Sequence, residues 1–161
     1  MAKGNKIVLS VPPKGTFEEC IISGTPSPGT VMQVVSGVAP VGGRLTYQAS
    51  TQPAGNKRPI VVLREDELQG FAPTVAYVAG TRGFLYWPAL GEELNMLTTI
   101  PGTGTGISGG AQVGEQLMVG SSGILVPATG SPAAVPFSAI ENAPDISGTT
   151  SALVACKFQT T

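Results

Sequence analysis

Residues 63–97 read LREDELQGFAPTVAYVAGTRGFLYWPALGEELNML, and this stretch decides which fold the chain can form. It contains an acidic turn at Glu65-Asp66-Glu67, the aromatic run Phe84-Leu85-Tyr86-Trp87, and an acidic pair, Glu92-Glu93, before a second apolar run. Glycines separate these pieces, and aromatic and aliphatic residues in short runs are typical of β-strands. The stretch therefore predicts short strands joined by tight turns.

Glycine and proline punctuate the whole chain. The 161 residues include 22 Gly and 14 Pro, too many for long helices. Strands are predicted at residues 6–11, 17–22, 30–35, 44–49, 59–63, 84–87, 94–100, 116–119, 124–126, 135–141 and 152–158. The expected fold is all-β, a β-sandwich or β-barrel of short antiparallel strands with at most one or two short helical turns, one of them near Glu65.

The predicted organisation is an extended N-terminal arm, residues 1–14, followed by a single β domain, residues 15–161. A repeat inside this domain is visible in Gly29-Thr-Val-Met-Gln-Val34 and Gly114-Glu-Gln-Leu-Met-Val119, each followed by a Ser-Gly turn. The repeat indicates two similar sheets, residues 15–100 and 111–161. The alternative is that hairpins in a chain rich in Gly and Val look alike by composition.

Low charge limits the classes of partner. Charged residues make up 12% of the chain and the net charge is −1, whereas an ordinary soluble domain is about 25% charged. No nucleic acid is expected as a partner, because phosphate binding needs a basic face. No membrane span and no signal peptide are predicted, so synthesis in the cytoplasm is expected. A surface this poor in charge favours a subunit of an assembly over a monomer with a Ser/Thr-rich surface.

The absence of histidine narrows the chemistry. Ser108 lies in a Gly-Ile-Ser-Gly-Gly pattern that resembles a nucleophile elbow, but Ser-His and Cys-His catalysis both need an imidazole base. The acidic clusters at residues 65–67 and 92–93 offer an acid–base pair or a calcium site, although a solvated acidic turn explains the first cluster better. We expect no enzymatic activity, no cofactor and no metal.

The two cysteines, Cys20 and Cys156, lie in apolar runs near opposite ends of the chain. We interpret them as two small buried hydrophobic residues. A disulfide between the first and last strands is the alternative, which sequence alone leaves open.

Four segments, in this order and spacing, resemble the capsid decoration, or cement, proteins of tailed bacteriophages. The first is the Pro28-Gly29 turn that enters a strand. The second is the acidic turn at residues 63–70 with the segment Val75-Ala-Tyr-Val-Ala-Gly80. The third is Gly91-Glu-Glu-Leu94. The fourth runs from residue 113 to residue 130 and continues through residues 135–141 to the last strand. The proline and phenylalanine at 136–137 and the long glycine-rich stretch 101–110 depart from the family pattern.

The resemblance implies a structural virion protein on the outer surface of an icosahedral phage head, where it cements neighbouring major capsid subunits. The implied partners are the major capsid protein and copies of the chain itself, with a trimer as the favoured arrangement and a dimer as the alternative. The alternative function is a carbohydrate-binding or host-attachment module on the virion. Residues 2–14 are expected to add a strand to a neighbour's sheet edge, and their deletion to leave the fold intact; a frayed terminus is the alternative. The residues predicted to contact partners are Lys3, Lys6, Lys14, Glu65, Asp66, Glu67, Phe71, Arg82, Tyr86 and Trp87.

Overall fold

The computed structural model describes residues 6–10, 12–51, 59–66, 72–99, 111–128, 136–141 and 151–159. These ranges contain ten β-strands and no helix. The all-β prediction is confirmed, and the predicted helical turn near Glu65 lies partly outside the described residues. The strands are β1 (Thr16–Ile22), β2 (Val31–Val34), β3 (Thr46–Ala49), β4 (Val61–Leu63), β5 (Arg82–Trp87), β6 (Glu93–Thr99), β7 (Gln116–Val119), β8 (Leu125–Pro127), β9 (Phe137–Ala139) and β10 (Ser151–Phe158).

The strands form two closed five-stranded barrels. Barrel 1 has the order β1-β3-β2-β4-β5, and barrel 2 has the order β10-β6-β8-β7-β9. When β1 to β5 are matched in sequence with β6 to β10, the two barrels have the same connectivity, including the one parallel pair in each, β1 with β3 and β6 with β8. The other eight pairs are antiparallel, as expected from the sequence, and these two pairs depart from that pattern.

The two barrels divide the chain between Trp87 and Glu93. Two similar sheets were predicted from the sequence, with residues up to 100 in the first. In the structure, β6 belongs to barrel 2. The short sequence repeat falls on β2 and β7, which occupy equivalent positions in the two barrels. β6 follows β5 after only five residues, so the sequence has no long linker that would mark the boundary.

Alternation along the central strands determines which side chains fill which core. In β4, Val61 and Leu63 belong to the core of barrel 1, while Val62 belongs to a larger core centred on barrel 2. Its neighbours across the sheet, Val31 and Tyr86, join that larger core. The side of barrel 1 formed by β2, β4 and β5 is therefore covered by barrel 2, which explains the uninterrupted apolar run at 60–63.

Glycine permits close approach where the barrels meet. Gly29 donates its N–H to Leu63, and its carbonyl accepts the N–H of Leu97 at 3.0 Å. Val31 donates to the carbonyl of Gly123 at 2.8 Å. A Cβ on Gly123 would lie 2.2 Å from the oxygen of Val31, and both glycines have positive φ. Larger residues at these positions would push the barrels apart.

The N-terminal segment 6–10 is part of the fold rather than a free arm. Val8 forms an antiparallel bridge with Leu94, and Leu9 donates its N–H to Glu93 at 3.0 Å. Ile7 is completely buried in the core of barrel 2. Residues 6–10 thus pair with this chain's own β6. They can do so because β8 pairs with β6 only near its end, at Thr98, which leaves the first residues of that edge of β6 for the N-terminal segment. The expectation that its deletion leaves the fold intact is corrected accordingly.

Both cysteines are free and buried, one in each barrel core. Burial, together with Glu18 near Cys20 and Glu141 near Cys156, raises the pKa of both thiols to about 12. The interpretation as small hydrophobic residues is confirmed, and no disulfide joins the first and last strands.

Candidate partner-binding surface

The exposed apolar side chains of the described residues are concentrated on barrel 1. Nine large hydrophobic side chains are exposed, and six of them lie at the end of β2, in the connection between β2 and β3, or in the connection that precedes β5. The six are Val34, Val38, Val41, Leu45, Val75 and Val78. We call the surface formed by them and by the exposed side of β1 the outer face.

The connection between β2 and β3 is held as a small hairpin. Val41 and Arg44 exchange two backbone hydrogen bonds of 2.9 and 3.1 Å, and Gly42 and Gly43 turn the chain with positive φ. Leu45 then accepts the N–H of Ile21 from β1. Because the backbone is tied down on both sides, Val41 is presented to solvent by ordered structure, with 57% of its surface exposed.

A charged cluster joins the two apolar connections. The Glu19 carboxylate on β1 accepts hydrogen bonds from the Nε of Arg44 at 2.7 Å and from its Nη2 at 2.5 Å. The Nε of Arg82, at the start of β5, lies 3.8 Å from the same Glu19 oxygen. One carboxylate thus faces two guanidinium groups, and the outer face has an excess of positive charge at this point.

A cavity of about 150 Å³ opens beside Arg82. Its lining includes the apolar side chains of Val75 and Val78, and Tyr77 and Asp66 form buried parts of its wall. Tyr77 is held from both ends, because its N–H donates to Pro26 and its hydroxyl donates to the carbonyl of Arg64 at 2.9 Å. Burial, aided by nearby Asp66, raises the pKa of Tyr77, so the ring remains neutral.

A buried polar network lies at the junction of β5 and β6. The Glu92 carboxylate, 1% exposed, accepts the Tyr86 hydroxyl at 2.6 Å and the backbone N–H groups of Lys14 and Ala89. The Tyr86 oxygen in turn accepts the N–H of Gly15 at 2.7 Å. Burial, reinforced by the bond to Glu92, raises the pKa of Tyr86 to about 12. The network attaches the residues before β1 to the junction between the barrels.

The pKa of Glu92 reflects two opposed effects. Burial alone would raise it, but the hydrogen bonds from Tyr86 and from the N–H groups of Lys14 and Ala89 outweigh burial, and the pKa lies below its ordinary value. Glu92 is therefore a structural carboxylate that is ionised at neutral pH.

Glu65 also has an internal role. One of its oxygens accepts the N–H of Ile7 at 3.1 Å, and the other lies 3.9 Å from a nitrogen of Arg64. The Arg64 guanidinium lies 4.7 Å from the centre of the Phe17 ring. Glu65 thus anchors the N-terminal segment, and both Glu65 and Asp66 are buried, which corrects the interpretation of these two residues as part of a solvated turn; Glu67 lies outside the described residues.

The residues predicted to contact partners differ in exposure wherever the structure describes them. Tyr86, Glu65 and Asp66 are buried inside the chain, so they present little surface to a partner. Trp87 is half-buried, and its Nε1 donates to Glu18 at 2.9 Å. Of the remaining positions, Lys6, Lys14 and Arg82 are exposed, and Lys3, Glu67 and Phe71 lie outside the described residues. As an interface, the set stays a prediction.

The hairpin between β2 and β3, and the exposure of its valines, were not predicted from the sequence. Its signal was the tetrapeptide Val41-Gly42-Gly43-Arg44, since two glycines between strand-forming residues favour a two-residue hairpin turn. The pairing of Glu19 with Arg44 had no signal of its own, because 25 residues separate the two and only the barrel brings them together.

The described residues contain no group of three His, Cys, Asp or Glu side chains placed to hold a metal ion. In the same part of the chain, no helix is long and apolar enough to cross a membrane.

Comparisons with known proteins show a likeness to solved structures and none in sequence. No family model matches the chain, and no curated protein matches it in sequence. Among solved structures, the chain is similar to the N base of the head fibre protein gp8.5 of bacteriophage phi29, with a TM-score of 0.54. The likeness covers 90% of this chain and 94% of that one at 13% sequence identity. At this identity, the two chains share a fold, and the shared fold extends over both barrels.

Proposed function

We propose that this chain is a structural protein of a bacteriophage virion that binds the outer surface of the head. The observation that carries the proposal is the fold shared, over nearly the whole length of both chains, with the base of a phage head fibre. The outer face supports it, because ordered apolar side chains with a few charges among them suit binding to another protein surface.

The finer form of the proposal is that the chain cements neighbouring major capsid subunits, as an oligomer and without catalysis. A head offers many equivalent sites, so modest contacts made by several linked copies add up to stable attachment. Glu65 and Glu92, two of the acidic residues first considered for acid–base chemistry, are used to hold the fold together. These roles in the fold support the proposal that the chain acts without catalysis.

A carbohydrate-binding role is the weaker candidate. It relied on Tyr86 and Trp87 as exposed aromatic platforms, but Tyr86 is fully buried and Trp87 is half-buried. Sugar rings stack on aromatic faces that solvent can reach, and burial leaves the Tyr86 ring no such face and reduces that of Trp87.

The proposal is tested with particles of the phage that encodes the chain. We expect the protein to be present in purified particles, and the purified chain to saturate heads that lack it at a fixed number of copies per head. The finer form further requires that saturated heads disrupt at a higher temperature than bare heads. Particles without the chain, or heads that do not bind it, would contradict the proposal.

A further inference from the structure

The cavity beside Arg82 has the size and the rigidity of a socket for one side chain. An apolar protein cavity of about 150 Å³ can hold a group of the size of benzene. Both ends of Tyr77 are hydrogen-bonded, and Thr81 is tied to Val78 by its own hydroxyl at 2.6 Å. The wall therefore exists before any partner arrives, which reduces the entropy lost on binding.

Charge at the rim indicates what should lie beside that side chain. Glu19 is engaged by two close contacts from Arg44, so the longer contact of 3.8 Å leaves Arg82 only partly neutralised. More than half of the Arg82 side chain is exposed. Asp66 is buried in the inner wall and is engaged within the chain. A carboxylate on the partner would complete the rim, and a guanidinium group is well suited to bind one in a bidentate manner.

From this geometry we propose that the cavity binds a ring-sized or branched apolar side chain that stands next to an acidic residue on a surface loop of another protein. The inference rests on the proposed function, since the inference names the chemistry of the capsid segment that the outer face would bind. The apolar side chain enters between Val75 and Val78, and the neighbouring carboxylate meets Arg82. Self-association through the cavity is the competing outcome.

The test uses the full chain, labelled with ¹⁵N, and three blocked tripeptides of sequence Asp-Phe-Asp, Lys-Phe-Lys and Asp-Ala-Asp. Asp-Phe-Asp should give saturable shifts of the backbone amide signals of Val75, Val78 and Thr81. Lys-Phe-Lys should bind at least about tenfold more weakly. Asp-Ala-Asp should give no saturable shift, because its methyl group leaves the cavity empty.

Val78→Asp places a charge at the mouth of the cavity and should abolish the shifts. Val113→Asp is the matched control, because Val113 is 63% exposed on barrel 2 and Val78 is 65% exposed. Arg82→Gln should make Asp-Phe-Asp bind no better than Lys-Phe-Lys. All three substituted side chains are exposed, so polar residues are tolerated at these positions. Unchanged amide signals away from the substituted residue and the cavity will show that each variant is folded.

The inference is overturned if Asp-Phe-Asp gives no saturable shift, if its shifts fall outside the cavity, or if Lys-Phe-Lys binds equally well. It is also overturned if the Val78→Asp variant loses self-association in sedimentation while it occupies phage heads like the natural chain. Heads that bind neither the natural chain nor the variant would contradict the proposed function instead, and the peptide result would stand by itself.

Discussion

Glu92 shows how much a single buried residue contributes to this fold. Its carboxylate accepts one hydroxyl and two backbone N–H donors, two from the end of β5 and the connection after it and one, from Lys14, that is 78 residues away. Donors paired with a charged acceptor make stronger bonds than neutral pairs do. The residue therefore links the start of β1, the end of β5 and the start of β6 at one point.

We expect Glu92→Gln to lower the free energy of unfolding by about 2–3 kcal/mol, because an amide supplies one acceptor oxygen and turns its own N–H groups toward N–H donors. Chemical denaturation at neutral pH measures the loss. The control is Glu93→Gln, at the neighbouring half-buried position, which should change stability little. Equal effects of the two substitutions would contradict the structural role of Glu92.

The same carboxylate predicts how stability changes with pH. Because the folded pKa of Glu92 lies below the ordinary value of 4.5, folding favours its ionised form. Its contribution is fully present above pH 4.5 and is lost as the pH falls through the folded pKa. Glu92→Gln should therefore lose less stability on acidification than the natural chain, as measured by denaturation on both sides of that pH. A parallel decline would show that other groups dominate.

At the scale of elements, glycine determines how the two barrels fit together. Gly123 and Gly114 both have positive φ, at 69° and 84°, so an alanine at either position strains the backbone. Only Gly123 has a close neighbour, the Val31 oxygen of the other barrel; nothing lies within 4 Å of a Cβ on Gly114.

Gly123→Ala should therefore destabilise the chain by about 1–3 kcal/mol more than Gly114→Ala, since the methyl group forces the barrels apart in addition to the shared backbone strain. Thermal and denaturant unfolding of the two variants gives the difference. If both variants lose the same stability, the contact between the barrels is looser than Gly123 indicates.

The N-terminal segment 6–10 behaves as part of barrel 2, because it pairs with β6 and buries Ile7 in the core. Ile7→Ala should cost about 3 kcal/mol, because it leaves a cavity in the main core. Leu9→Ala, at a half-buried position of the same segment, should cost less. Unfolding curves of the two variants will decide. A negligible effect of Ile7→Ala would restore the view of this segment as a detachable arm.

At the scale of the whole molecule, the exposed apolar side chains of the described residues are unevenly distributed, with most of them on barrel 1. Barrel 2 packs against the side of barrel 1 formed by β2, β4 and β5, and the outer face carries most of the exposed apolar side chains in the described part of the chain. With only 12% charged residues, little repulsion keeps copies apart.

We expect the purified chain to self-associate at micromolar concentration, as sedimentation velocity will show. Val41→Asp should weaken this association, since it charges the tip of the hairpin. Val113→Asp, which is similarly exposed on barrel 2, should leave it unchanged. A chain that sediments as a monomer throughout this range would contradict the expectation.

The class of fold and nearly every strand follow from the amino-acid sequence, because β-branched and aromatic runs between glycines and prolines are local signals. The burial of both cysteines and of residues 61–63 follows from local patterns as well, since an unbroken apolar run has no polar face to expose to water. The tertiary structure alone decided that β6 begins a second barrel, that Tyr86 and Glu92 are buried together, and that Glu65 holds Ile7. These outcomes depend on the closure of two barrels and on their contact, which bring together side chains 58 residues apart in the case of Glu65 and Ile7. No local pattern records such a pairing, because its energy comes from burial that exists only once both barrels have formed.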